Sequence, residues 1–308
     1  MIRSLYSSDK TMKKSLTYTL LALSITACTT TAPPTVKPLI TREPPKVALV
    51  LGGGGAKGFA HIGVLKVLEQ NAIKPDLIVG TSSGSLVGSL YASGKSAHDI
   101  EEIATHVSNT DLVDFTISKQ GFIEGVQLQN WVNEQVGHRP IEQLPRRFAA
   151  IATNLSTTSA DAQKTVFTTG DTGLAVRASS SIKGVFIPPR INNQRYADGG
   201  LSSLVPVQTA KDLGAKVVIA VDISAPATEQ DNNKFDFWSI LDRSFNVMPK
   251  QPSKDLAKEL ALANVVIQPQ VGHIGTTDTV NREKIIQAGE VATRAKLADI
   301  KAAVKAYQ

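Results

Sequence analysis

Short apolar runs alternate along this chain with longer stretches whose apolar residues recur every three or four positions. Residues 46–51 (KVALVL) lie between Pro44-Pro45 and four glycines, and 76–80, 148–153, 216–221 and 265–267 are similar apolar runs bounded by polar residues, glycine or proline. Continuous apolar runs of this length suit strands buried on both faces of a parallel sheet. Residues 165–169 (TVFTT) alternate and suit a hairpin or edge strand. Between the runs, helical spacing predicts helices over 57–70 (with Ile62, Leu65 and Leu68 on one face), 83–92, 97–107, 126–136, from about Pro206, over 253–263 and over 281–304. Strand–helix alternation predicts an α/β fold in three layers, a mostly parallel central sheet with helices on both faces. Residues 226–252 show no period and read as a mobile loop; no internal repeat is present.

Composition changes this picture little. Charged residues at 19% and apolar residues at 42% are an ordinary globular balance. A single Cys excludes an intrachain disulfide framework and any multi-Cys zinc site, and five His show no HExxH spacing. The net charge of +6 is partly local: Arg3, Lys10, Lys13 and Lys14 stand against Asp9 in the first 27 residues, and no dense Lys/Arg stripe points to nucleic acid. That amino-terminal segment reads as an address. Lys13-Lys14 precede the apolar residues 16–27, which at 1.5 Å per residue cannot cross a hydrocarbon core of ~30 Å. The sequence Ile25-Thr26-Ala27-Cys28 resembles the lipobox of bacterial lipoproteins, and Cys28 is the chain's only Cys. Met12 makes a better start than Met1, because it puts Lys-Lys directly behind the initiator. Residues 29–45, rich in Thr and Pro, read as an extended tether. The rival to a lipid anchor is a plain secretory signal with an incidental Cys.

Three stretches carry chemistry. Gly52-Gly53-Gly54-Gly55-Ala56-Lys57-Gly58 lies between a strand and a helix, where backbone N–H groups meet a positive helix end and bind negative charge. Gly53, Gly55 and Gly58 satisfy GxGxxG, but a dinucleotide site needs an acid at the carboxyl end of the second strand, and Asp76 falls at its amino end. Gly80-Thr81-Ser82-Ser83-Gly84 is a GxSxG between strand and helix, the setting of a nucleophile elbow that lifts Ser82 above the sheet. Tyr196-Ala197-Asp198-Gly199-Gly200 reads on its own as an Asp-Gly turn after a short strand; beside a candidate nucleophile, its carboxylate could accept a proton. Of the histidines, only His273 lies beyond Asp198, where a triad would need one; His61 reads as packed, and His98, His106 and His138 as surface residues.

The order of a Gly-rich loop, GTSSG, Ala178-Ser179-Ser180-Ser181 and Asp198-Gly199-Gly200 resembles the patatin-like phospholipases over about 46–224. The resemblance implies a Ser–Asp dyad without His: Ser82 as nucleophile, Asp198 as base, and Gly53, Gly54, Gly55 and Lys57 as the oxyanion loop. It implies no metal or organic cofactor. Lys183 departs from the family pattern, which often has Pro there, and leaves substrate choice open. The resulting expectation is a signal peptide over 1–27, a tether over 28–45, a catalytic domain over 46–225 and a helical extension over 226–308 packed on it. Such a protein would be a serine acyl hydrolase of membrane lipids, held in the bacterial envelope through Cys28, on the outer membrane facing the periplasm. A nucleotide-binding protein, or a non-catalytic lipid-binding protein of the envelope, is the competing reading.

Overall fold

The computed structural model describes residues 43, 46–108, 112–116, 118, 120–159, 163–224, 254–272 and 280–307. Cys28, the signal-like segment, nearly all of the tether, the aperiodic stretch 226–252 and His273 lie outside the described residues.

The five apolar runs form strands as their burial requires. β1 (Val47–Leu51), β2 (Leu77–Thr81) and β7 (Val217–Val221) are buried along their whole length. β3 (Arg147–Asn154) is buried after its first residue, and β8 (Val265–Ile267) closes one edge. β4 (Lys164–Phe167) is the half-buried strand that alternation predicts. Two further strands, β5 (Arg190–Ile191) and β6 (Gln194–Asp198), form a tight hairpin. The eight strands make one sheet in the order β5-β6-β3-β2-β1-β7-β8, with β4 also on β3. Pairing is parallel from β3 through β8 and antiparallel for β4, β5 and β6.

Helices cover both faces, as expected of this fold class. On one side lie α1 (Phe59–Gln70), α2 (Ser83–Ala92), α3 (Ala97–His106), α4 (Val126–Gln135), α5 (Thr172–Ser179) and α8 (Arg282–Ala295), around a core that includes Leu49, Leu65, Tyr91, Phe148 and Ile285. On the other lie α6 (Val207–Asp212) and α7 (Lys254–Ala261), over Val50, Val79, Ile151 and Val218. The single helix expected over 281–304 is two helices: α8 ends at Ala295, Lys296 caps it, and α9 (Leu297–Lys305) turns toward the β7–β8 edge. α5 has no counterpart in the pattern reading. Its Thr-Gly-Leu-Ala-Val-Arg-Ala-Ser sequence is weakly helical, and it is fixed by the Asp171 side chain accepting from Leu174 N–H at its start. Among the described residues, no helix is long and apolar enough to cross a membrane.

Candidate active site

Three stretches far apart in sequence converge at the carboxyl ends of the parallel strands. β2 turns into α2 through Ser82, whose φ of 52° and ψ of −124° belong to a strained conformation for a residue with a side chain. The elbow is forced by contact. A Cβ at Gly84 would lie 2.1 Å from Leu51 O, and one at Gly80 would lie 2.5 Å from Gly84 O, so strand and helix meet only with glycine at both places. The Ser82 N–H donates to Ser179 Oγ at 2.9 Å, and Thr81 Oγ1 donates to Ser203 O at 2.9 Å. These two bonds fix the elbow from either side.

Asp198 ends β6, opposite Ala152 of β3 and level with the elbow that follows Thr81. Its backbone is pinned: its N–H donates to Ser181 O at 2.7 Å, and its carbonyl accepts from Thr153 Oγ1 at 2.9 Å. The side chain is buried, with 2% exposed. Oδ1 accepts the Gly200 N–H at 2.7 Å, while Oδ2 is buried with no partner in full hydrogen-bond geometry among the described residues. Burial pushes the carboxyl up to about 6, against the lowering influence of the nearby Ser82 hydroxyl and the Gly200 N–H. A buried carboxyl beside a serine hydroxyl has the chemistry of a candidate proton acceptor. Catalytic hydrogen bonds are often loose before substrate binds.

The glycine loop departs in part from the expected arrangement. Gly52 N–H donates to Val221 O at 3.0 Å, Gly53 N–H to Leu204 O at 3.1 Å and Lys57 N–H to Gly54 O at 3.3 Å. The backbone donors of Gly53 and Lys57 are therefore committed to shaping the loop and are not presented to a ligand in this geometry. The N–H groups of Gly54 and Gly55 make no bond among the described residues, which leaves these two of the four expected donors to face an anion. Gly53 still abuts Ser82, since a Cβ there would lie 3.3 Å from Ser82 Cβ. At Gly54 a Cβ would meet Ile223 Cδ1 at 2.8 Å and Ile223 O at 3.2 Å. The Lys57 side chain is buried, with 3% exposed.

His61 is wholly buried and its Nε2 lies 2.9 Å from Gly52 O. Burial lowers its pKa to about 4, outweighing the opposing bond to Gly52, so it is neutral at physiological pH and donates Nε2–H to that carbonyl. It braces the start of the loop and is the packed residue that its position predicts. His98, His106 and His138 are exposed. Asp76 is spent at the other end of the sheet: its Oδ2 accepts the N–H groups of Lys46 and Val47, each at 3.0 Å. It cannot serve a ribose at the glycine loop, which removes the support for a dinucleotide site.

Sequence reasoning missed one contributor. Glu259 on α7, half-buried, accepts from Ser203 Oγ at 2.9 Å and from Gln208 N–H at 2.8 Å. It grips the segment whose Ser203 and Leu204 carbonyls hold Thr81 and Gly53. A contact between residues 56 positions apart leaves no local signal.

Comparison with known proteins bears on the family and the fold. The profile of the patatin-like phospholipase family matches residues 49–211. A lysophospholipase NTE1 of Meyerozyma guilliermondii is 30% identical over 272 residues, covering 80% of this chain and 19% of that protein. An uncharacterized NTE family protein of Mycobacterium bovis is 35% identical over 202 residues, covering 63% of this chain and 54% of that one. The chain thus spans from about a fifth to about half of the length of these relatives. Among solved structures, VipD from Legionella pneumophila superposes with a TM-score of 0.55 at 14% identity, over 86% of this chain and 67% of that one, which shows the shared fold. With the family profile spanning more than half of its residues, the chain belongs to the patatin-like phospholipase family.

Proposed function

We propose that this protein is a serine acyl hydrolase acting on phospholipids or lysophospholipids through a Ser82–Asp198 dyad. The observation that carries the reading is the meeting of a strained, elbow-borne serine with a buried carboxyl that the serine hydroxyl approaches closely enough to lower its pKa against the effect of burial. Asp198 Oδ2 takes the hydroxyl proton directly while Ser82 Oγ attacks the acyl carbonyl. The Gly54 and Gly55 N–H groups hold the oxyanion, a contribution of ~2.7–4 kcal/mol per donor in related chemistry. The protonated carboxyl then returns its proton to the leaving alkoxide, giving an acyl-Ser82 ester. Water, deprotonated by the same carboxylate, releases the fatty acid. Charge on Asp198 is the working form, and a carboxyl near 6 is a stronger base than an exposed one while still ionised at neutral pH.

The amino terminus supports a place for this chemistry. Cleavage before Cys28 and lipidation of its thiol and amine would tether the domain to the envelope of a bacterium, and Thr29, not Asp, follows the Cys, which favours the outer membrane facing the periplasm. In this reading 46–225 is the catalytic domain and 226–308 packs with it.

A fluorophosphonate probe and lipid profiling test the enzyme. Ser82→Ala should lose labelling and esterase turnover. Asp198→Asn should lose turnover, because the amide keeps shape but not basicity. As parts of one unit, the double variant should be no worse than either single one. Turnover retained in folded Ser82→Ala would overturn the dyad, and a wild-type protein that neither labels nor turns over would favour a non-catalytic binding protein. For the anchor, alkyne fatty-acid labelling should vanish in Cys28→Ser; label kept by that variant would overturn the lipoprotein reading.

A further inference from the structure

The β5–β6 hairpin carries a feature that neither packing nor the dyad explains. Asn192 and Asn193 take φ of 48° and 65°, the two-residue turn that fixes hairpin register most firmly. That register places Arg190 directly opposite Arg195. Like charges directly opposite are unfavourable, with Cβ atoms ~4.5–5.5 Å apart. Both side chains are exposed, and neither makes an ion pair among the described residues.

Their position is informative. β6 pairs with β3 at Ala152↔Asp198 and Asn154↔Tyr196, so the hairpin continues beyond the carboxyl ends of the parallel strands, on the side where Ser82 lies. Arg195 stands three residues, ~10 Å, beyond Asp198. By strand alternation it shares a face with Ala197, opposite to Tyr196 and Asp198, so the arginines are turned away from the acyl-transfer centre. Around the same rim, Leu201 is 50% exposed in the turn that follows Asp198. Phe122 is 54% exposed and donates its N–H to Val185 O at 2.7 Å, four residues past the Ser181 that holds Asp198. Lys183, in the same segment, is exposed as well.

We infer that this rim is the face by which the protein docks on a phospholipid surface. Arg190, Arg195 and Lys183 meet lipid phosphates, which neutralise the facing guanidinium pair, while Phe122 and Leu201 enter the headgroup layer beside the Ser82 mouth. The occupant rests on the lipid-hydrolase reading, and it would let substrate leave a bilayer without crossing water.

The test is co-sedimentation of the full chain carrying Cys28→Ser and Ser82→Ala, so that neither anchor nor turnover contributes, with vesicles of phosphatidylcholine alone or with phosphatidylglycerol. The parent should bind phosphatidylglycerol vesicles in a salt-sensitive way. Arg190→Gln with Arg195→Gln should lower partition by about ten-fold or more, at ~1 kcal/mol per cation. Arg190→Lys with Arg195→Lys should keep most of it. Phe122→Ser with Leu201→Ser should weaken binding to both vesicle types, also at high salt. An unchanged melting temperature certifies each variant's fold. Parent protein that fails to bind, a glutamine pair that binds like the parent, or lysine and glutamine pairs equally impaired would each overturn the docking face. Since no turnover is read, absence of esterase activity in the Ser82 protein would overturn the hydrolase and leave this result standing.

Discussion

At the residue scale, the buried Asp198 carboxyl is a stability cost. The Asp198 carboxyl rises from 3.8 to about 6 on burial, and the sign of the consequence is fixed. At low pH the group is protonated in both folded and unfolded chains and carries no penalty. As pH rises the unfolded chain ionises first, and stability is lost progressively until the folded group ionises near 6; above that, the full penalty of roughly 3 kcal/mol persists. Asp198→Asn should therefore match the wild type in denaturant melts at the acid end of this window and exceed it at pH 7–8. A variant no more stable at neutral pH would show that the carboxyl is solvated. In the proposed dyad the same group would govern turnover with the opposite benefit. If the carboxylate is the proton acceptor, as proposed, kcat/KM should rise with pH through a single ionisation at about 6 and stay level above it. His61 does not enter this profile, since it stays neutral above about 4.

At the element scale, Glu259 on α7 lies outside the matched family region yet holds the segment that shapes the glycine loop. Glu259→Ala should leave KM for a soluble ester near its wild-type value and lower kcat by about ten-fold or more, because small displacements of positioning groups are costly in the transition state. Glu259→Gln keeps an acceptor for Ser203 and should recover part of the loss; equal loss of KM and kcat in both would mean general loosening of the fold. This contact also marks what was legible in the sequence. Apolar runs gave β1, β2, β3, β7 and β8, because a strand buried on both faces must be apolar throughout. The elbow was readable because its two glycines are required by steric contact with neighbouring backbone. The β5 strand, the α5 helix and the break at Lys296 were not readable. Their sequences are polar or weakly patterned, and they take their form from hydrogen bonds and partners distant in the chain. The loop donors were only half readable: four residues fit the pattern, but which N–H groups remain available depends on Leu204 O and on the loop's own Gly54 O.

At the scale of the whole molecule, the described residues from Glu43 onward belong to one compact unit, and its two ends depend on each other. α1, which follows the glycine loop, packs against α8 near the carboxyl terminus at a crossing with glycine on both helices. A Cβ at Gly63 would lie 1.9 Å from Ile286 O, and one at Gly289 would lie 2.0 Å from Ala60 O. No side chain can be accommodated without moving one helix. The contact lies beside His61, the residue on α1 whose Nε2–H holds Gly52 O at the mouth of the loop. Gly289→Val should therefore act twice. Forced separation of the helices should cost ~1–3 kcal/mol, read as a lower melting temperature. In the fraction that remains folded, a shifted α1 should carry His61 away from Gly52 and slow fluorophosphonate labelling of Ser82, although Gly289 touches none of the reacting groups. Val291 is 62% exposed on the same helix, and Val291→Ala should change neither quantity. A Gly289 variant that melts lower but labels at the wild-type rate would confine the crossing to stability and uncouple the carboxyl-terminal helices from the chemistry.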